Sequence, residues 1–160
     1  MPTNQDWRDL FAALNDAGAE YLVVGAHALA AHGHVRATKD LDVWVHDTRE
    51  NAERVVVALQ NFGAPLDDLS ADDFSSPDIV FQMGVPPLRI DILTSVDGIT
   101  FDEAWPTRVR SRYGDQSIQV LSRELLIKNK LASGRLQDLA DVEQLGGPLP
   151  RHPKDGGVSG

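Results

Sequence analysis

Apolar residues recur at helical spacing at Trp7, Leu10, Phe11 and Leu14, which predicts a first helix over residues 6–17 with Gly18 as its terminator. The continuous apolar run YLVV predicts a strand over residues 21–24, and the alanine-rich stretch after it a short helix over 27–31 that ends at His32-Gly33. Alternation in DLDVWVH predicts a second strand over 40–46. Asp47 is then expected to cap a long helix, with Glu50 reaching back in a capping box. That helix shows Ala52, Val55, Val56 and Leu59 as one stripe and closes at Gly63.

The second half of the chain reads similarly. A polar loop with Pro65 and the acidic run Asp67, Asp68, Asp72 and Asp73 precedes two strands over 79–83 and 88–93, joined by the turn GVPP. A strand pair follows over 108–113 and 117–121 around Gly114-Asp115. Ser122 caps a helix carrying Leu125, Leu126 and Lys130 that stops near Gly134, and a last short helix holds Asp138 and Asp141. From Gly146 the chain is too rich in Gly and Pro to pack, so the expectation is one domain over 1–145 and a flexible tail over 146–160. Helices alternate with strands, some of them hairpins, which predicts an α/β (α+β) fold with a mixed sheet and flanking helices.

Against this pattern, three acids stand out. Asp40 and Asp42 interrupt an apolar strand, and Asp91 sits between Ile90 and Ile92 in another. Residues two apart on a strand share a face, so Asp40 and Asp42 point the same way, and two such charges call for a cation. A hard divalent ion suits them, because Mg²⁺ takes one or two carboxylates and keeps positions for water and phosphate. Upstream, the strand enters a helix through Gly25, an arrangement that suits a phosphate group.

Composition narrows the options. The 160-residue chain has no cysteine, which excludes disulfides and thiolate metal sites. A net charge of −9 argues against broad adhesion to DNA while allowing a local contact with an RNA end. No membrane-length apolar run or signal-peptide pattern is present, so the expected location is cytoplasmic. The acidic run is expected to be a solvated loop, and His27, His32 and His34 lack the spacing of a zinc pair. Neither GxxxxGK[ST] nor GxGxxG occurs, which leaves P-loop and dinucleotide-binding readings without support.

The glycine turn, the Asp-x-Asp strand and the later single Asp resemble the polymerase-beta-like nucleotidyltransferase superfamily. Lys130, Arg135, Asp138 and Asp141 further resemble the C-terminal Lys, Arg-x-x-Asp-x-x-Asp pattern of the small AbiEii-type, stand-alone members. The resemblance spans residues 8–145. The superfamily turn usually reads Gly-Gly or Gly-Ser; Gly25-Ala26 keeps a backbone N–H for phosphate but lacks a serine hydroxyl.

The resemblance implies a palm-like nucleotidyltransferase fold and transfer of a nucleoside monophosphate from a nucleoside triphosphate, such as ATP, to a hydroxyl. The acceptor would be an RNA 3′ end or a protein, and the chain would act as the toxin of a pair with a cognate antitoxin. Asp40, Asp42 and Asp91 would hold Mg²⁺ or Mn²⁺, with Asp91 also a possible base. Gly25, Ala26, Arg36, Thr38 and Asp138 would position the nucleotide, and Lys130 would contact the triphosphate. Trp7, Trp44 and Trp105 read as core or rim packing, with a place beside the nucleotide as the alternative for Trp44, which shares the face of the acids. The alternative is a non-catalytic nucleotide-binding or protein-interaction module on the same fold.

Overall fold

The computed structural model describes residues 4–34, 40–67, 69–84 and 89–147. Helix α1 (Gln5–Asp16) begins one residue before the expected start, because Asn4 accepts a hydrogen bond from the Trp7 N–H and so takes the cap. Its buried stripe is the expected one, Trp7, Leu10, Phe11 and Leu14. Strand β1 (Tyr21–Val24) is buried throughout and runs directly into α2 (Gly25–Ala31), two residues earlier than the periodicity indicates. Strand β2 spans Asp40–Val45.

Helix α3 (Arg49–Phe62) is capped by Thr48, whose hydroxyl accepts from the Asn51 N–H, not by Asp47. The shift of one residue removes Glu50 from the capping-box position, and Glu50 pairs with Arg54 instead. Asn51 is nearly inaccessible, yet its side chain is satisfied. It donates to the carbonyls of Glu20 and His46 and accepts from the Glu20 N–H, tying α3 to the ends of β1 and β2.

The acidic stretch is not a plain loop. Ser70 and Asp73 form a capping box that starts α4 (Ala71–Phe74), whose Phe74 is fully buried while Asp67 and Asp72 remain exposed. Strands β3 (Val80–Met83) and β4 (Arg89–Leu93) follow, then a second capping box, Thr100 with Glu103, that begins α5 (Phe101–Ala104) and a 3-10 turn over Trp105–Thr107. Strands β5 (Val109–Tyr113) and β6 (Gln116–Val120) form the expected hairpin. Ser122 caps α6 (Arg123–Ser133), Gly134 ends it, and α7 (Leu136–Gln144) completes the described chain. Gly146 and Gly147 still bond back to Glu143 and Val142, closing α7.

The six strands form one mixed sheet in the order β3-β4-β2-β1-β6-β5. β2 pairs parallel with β4 and β1 parallel with β6, and the other neighbours are antiparallel. Register fixes two faces. Val43, Val23, Val120 and Val109 lie on one face, and α1 covers it through Phe11 against Tyr21 and Tyr113. The other face carries Asp42, Trp44 and Asp91, with Phe101 of α5 packed edge-on to the Trp44 ring. The core is therefore double-sided, which is why the central strands read as continuous apolar runs.

Candidate active site

Parallel pairing of β2 with β4 places Asp40 opposite Arg89 and Asp42 opposite Asp91. Partners at one register position share a face, so all four polar side chains emerge together from apolar strands. Asp42 and Asp91 stand close enough that a proton held on Asp42 would be shared with Asp91. Burial first, and then the charges of Asp91 and Asp40, push the Asp42 carboxyl up to about 6. Asp91 is also raised, chiefly by burial, with the Asp40 charge adding to the effect and Arg89 opposing it.

Arg89 is the counter-charge that the sequence reading missed. Its Nη2 lies 3.2 Å from Asp40 Oδ2 and its Nε 3.3 Å from Asp91 Oδ1. Neither Arg89 Nε nor Asp91 Oδ1 makes a hydrogen bond, although both are buried. Alternation alone could have found Arg89, since it stands two residues before Asp91 on the same strand.

Gly25 stands at φ +70° directly above Asp42. A Cβ at this position would meet Asp42 Oδ2 at 2.4 Å, so the turn requires glycine for two reasons, backbone conformation and space. Ala26 follows it as the next residue of α2. Arg36 and Thr38 lie outside the described residues.

Lys130 is almost fully buried between α6 and α7. Its Nζ lies 2.8 Å from Asp141 Oδ2 and 3.6 Å from Asp138 Oδ1. Gln137 donates to the other Asp141 oxygen, and Arg135 Nε donates to Asp138 at 2.8 Å. This cluster locks α7 onto α6. The Asp138 hydrogen bond, and after it the charges of Asp97 and Asp42, hold the exposed Arg135 guanidinium firmly protonated. The start of α7 therefore lies within electrostatic reach of the acids, while Lys130 itself is engaged elsewhere. Trp44 is buried under Phe101 and belongs to the core, not to the rim of an open site.

Asp42 and Asp91, both with raised affinity for protons, Asp40 beside them on the same face, and a glycine cleared for approach form a donor set of the chemistry that a hard divalent cation takes. Among the described residues no group of three or more His, Asp or Glu side chains is placed to hold a metal ion as it stands. Asp42 and Asp91 meet, whereas Asp40 is drawn to Arg89.

No family model matches the sequence, and no curated protein is similar to it. Solved structures are similar in fold. The chain resembles a candidate nucleotidyltransferase from Thermotoga maritima at 14% identity and a TM-score of 0.60, covering 88% of this chain and 89% of that one. It also resembles the lincosamide antibiotic adenylyltransferase LnuA in its lincomycin-bound form, at 13% identity and a TM-score of 0.56, covering 90% of this chain and 96% of that one. The architecture is the nucleotidyltransferase fold, a mixed sheet with flanking helices.

Proposed function

We propose that the chain is a Mg²⁺-dependent nucleotidyltransferase that moves a nucleoside monophosphate from a nucleoside triphosphate to a hydroxyl acceptor. The observation that carries this reading is the side-by-side placement of Asp42 and Asp91 on parallel strands beneath Gly25. The fold neighbours support nucleotidyl transfer in general terms.

Asp40, Asp42 and Asp91 would hold the ion, Mg²⁺ or Mn²⁺. Bound there, it would neutralise triphosphate charge and lower the pKa of the acceptor hydroxyl. The acceptor oxygen would form a bond to the α-phosphorus as the bond to the bridging oxygen breaks, and pyrophosphate would leave. Asp91, whose Oδ1 makes no hydrogen bond and only a 3.3 Å ion pair with Arg89, would receive the hydroxyl proton. Gly25 and the Ala26 N–H would admit the phosphates, with Arg36 and Thr38 assisting. Asp138 would serve by fixing Arg135 near the acids. Lys130 would reach the triphosphate only by leaving Asp141, so its role before substrate arrives is to hold α7 in place.

At finer grain, the reading is an AbiEii-type enzyme of the cytoplasm, acting as a toxin on an RNA 3′ end or a protein and restrained by an antitoxin. The experiment is incubation with Mg²⁺ and each labelled nucleoside triphosphate, alone and with total RNA or lysate protein, followed by release of pyrophosphate. Transfer that disappears in Asp42→Ala and Asp91→Asn supports the reading. Triphosphate binding without pyrophosphate release under every condition would replace it with the non-catalytic module.

A further inference from the structure

Among the described residues, every lysine and arginine lies within 4.0 Å of a carboxylate oxygen except Arg108, Arg110 and Arg112. All three are exposed; Arg110 and Arg112 alternate along the edge strand β5, and Arg108 stands in extended backbone immediately before it, so they form a single row. In a chain of net charge −9 this row is the exception. Charge on an edge strand guards against sheet extension, but that purpose is indifferent to sign and to ion pairing. Arg108 donates to the Trp105 carbonyl and Arg112 to the Asp115 carbonyl, but none of the three has a carboxylate partner among the described residues, and three such cations together indicate a polyanion.

The row lies on the functional side of the sheet. Val109 opposes Val120, Val120 opposes Val23 and Val23 opposes Val43, all on the face covered by α1. The arginines therefore occupy the other face, that of Asp42 and Asp91. The strand end at Arg108 also lies at the acids' end of the sheet, since Val109 and Val23 sit at neighbouring levels to Asp42. Three strand spacings of ~4.8 Å separate β5 from β2, roughly 14 Å. The gap is bridged by aromatic surface: the Arg108 guanidinium lies 3.8 Å from the Trp105 ring centroid, and Trp105 stacks on Phe101.

We propose that Arg108, Arg110 and Arg112 form a docking track for the backbone of single-stranded RNA. Alternate strand positions recur at ~6.8 Å, a spacing that an extended strand can meet one phosphate at a time. Gln119 and Ser117, opposite Arg110 and Arg112, offer neutral polar groups for a ribose hydroxyl. Binding rests on the arginines alone. That the bound strand presents the acceptor hydroxyl rests on the nucleotidyl-transfer reading above.

The test is fluorescence anisotropy with a labelled twelve-nucleotide single-stranded RNA of mixed sequence, measured from low to moderate salt. The proteins are wild type, the triple variant R108Q/R110Q/R112Q and the single reversal R110E, each checked for an unchanged thermal transition. Wild type is expected to bind. The triple variant should bind roughly tenfold more weakly, with a slope of log K on log salt shallower by about 2, because each single-strand phosphate contact contributes about 0.7. Arginine-dependent binding by wild type that is accompanied by no transfer with any nucleoside triphosphate supports the track while removing the transfer reading. RNA binding that is absent, or equal in wild type and the triple variant, overturns the track even if transfer is intact. Equal arginine-dependent binding of the matching DNA, or displacement by polyglutamate as readily as by unlabelled RNA, overturns the assignment to RNA.

Discussion

Replacing Asp42 with asparagine isolates the cost of holding two carboxylates side by side. In the free protein the Asp42 carboxyl titrates at about 6 against an ordinary 3.8, mainly from burial and then from the Asp91 and Asp40 charges. At about 1.4 kcal/mol per tenfold, ionising it in the fold costs roughly 2–3 kcal/mol more than in the unfolded chain. The sign follows from proton counts. Between pH 4 and 6 the folded state holds a proton that the unfolded state has released, so stability falls as pH rises and then levels off above about 6. Asparagine keeps an N–H donor for Asp91 and carries no charge. Asp42→Asn should therefore be more stable than wild type at pH 7.5 without metal, by roughly 2 kcal/mol, or about 4–8 °C in the thermal midpoint. This advantage should shrink as pH is lowered toward 4. Mg²⁺ should raise the wild-type midpoint and leave the variant nearly unmoved. Thermal and urea unfolding at three pH values, with and without Mg²⁺, make the comparison. A variant less stable than wild type at pH 7.5, or an advantage that ignores pH, would refute the electrostatic argument.

Two further substitutions probe the surrounding frame. Gly25→Ala places a methyl group 2.4 Å from Asp42 Oδ2 at φ +70°, so it should cost roughly 1–3 kcal/mol, as read by urea unfolding. Lys130→Met strips the buried Asp141 of its cation and should destabilise by about 3–5 kcal/mol in urea unfolding, whereas the double variant K130M/D141L should recover much of the loss.

Much of this site was legible because strand alternation is a rigid rule. Asp40 and Asp42 had to share a face, and the apolar residues around Asp91 placed it on a central strand. What single-strand reasoning does not contain is pairing. Only the register of β2 against β4 reveals that Asp42 meets Asp91 while Asp40 meets Arg89. The same gap hid the partners of Lys130, which come from α7. Other differences were avoidable. Ser70 with Asp73 and Thr100 with Glu103 are capping boxes written in the sequence, and each starts a helix where a loop or no element was expected. The choice of Asp47 over Thr48 as a cap reflects the ordinary ambiguity of adjacent capping residues.

The central parallel pair has a consequence for assembly. Asp42 acquires its neighbour only after the chain has made α3, α4 and β3 and returned to lay β4 alongside β2. No shorter stretch can build the pair by itself, so the two carboxylates come together in one step with closure of the sheet interior. Loosening of the outer strands β3 or β5 would leave that rung standing, and only opening of the middle would dismantle it.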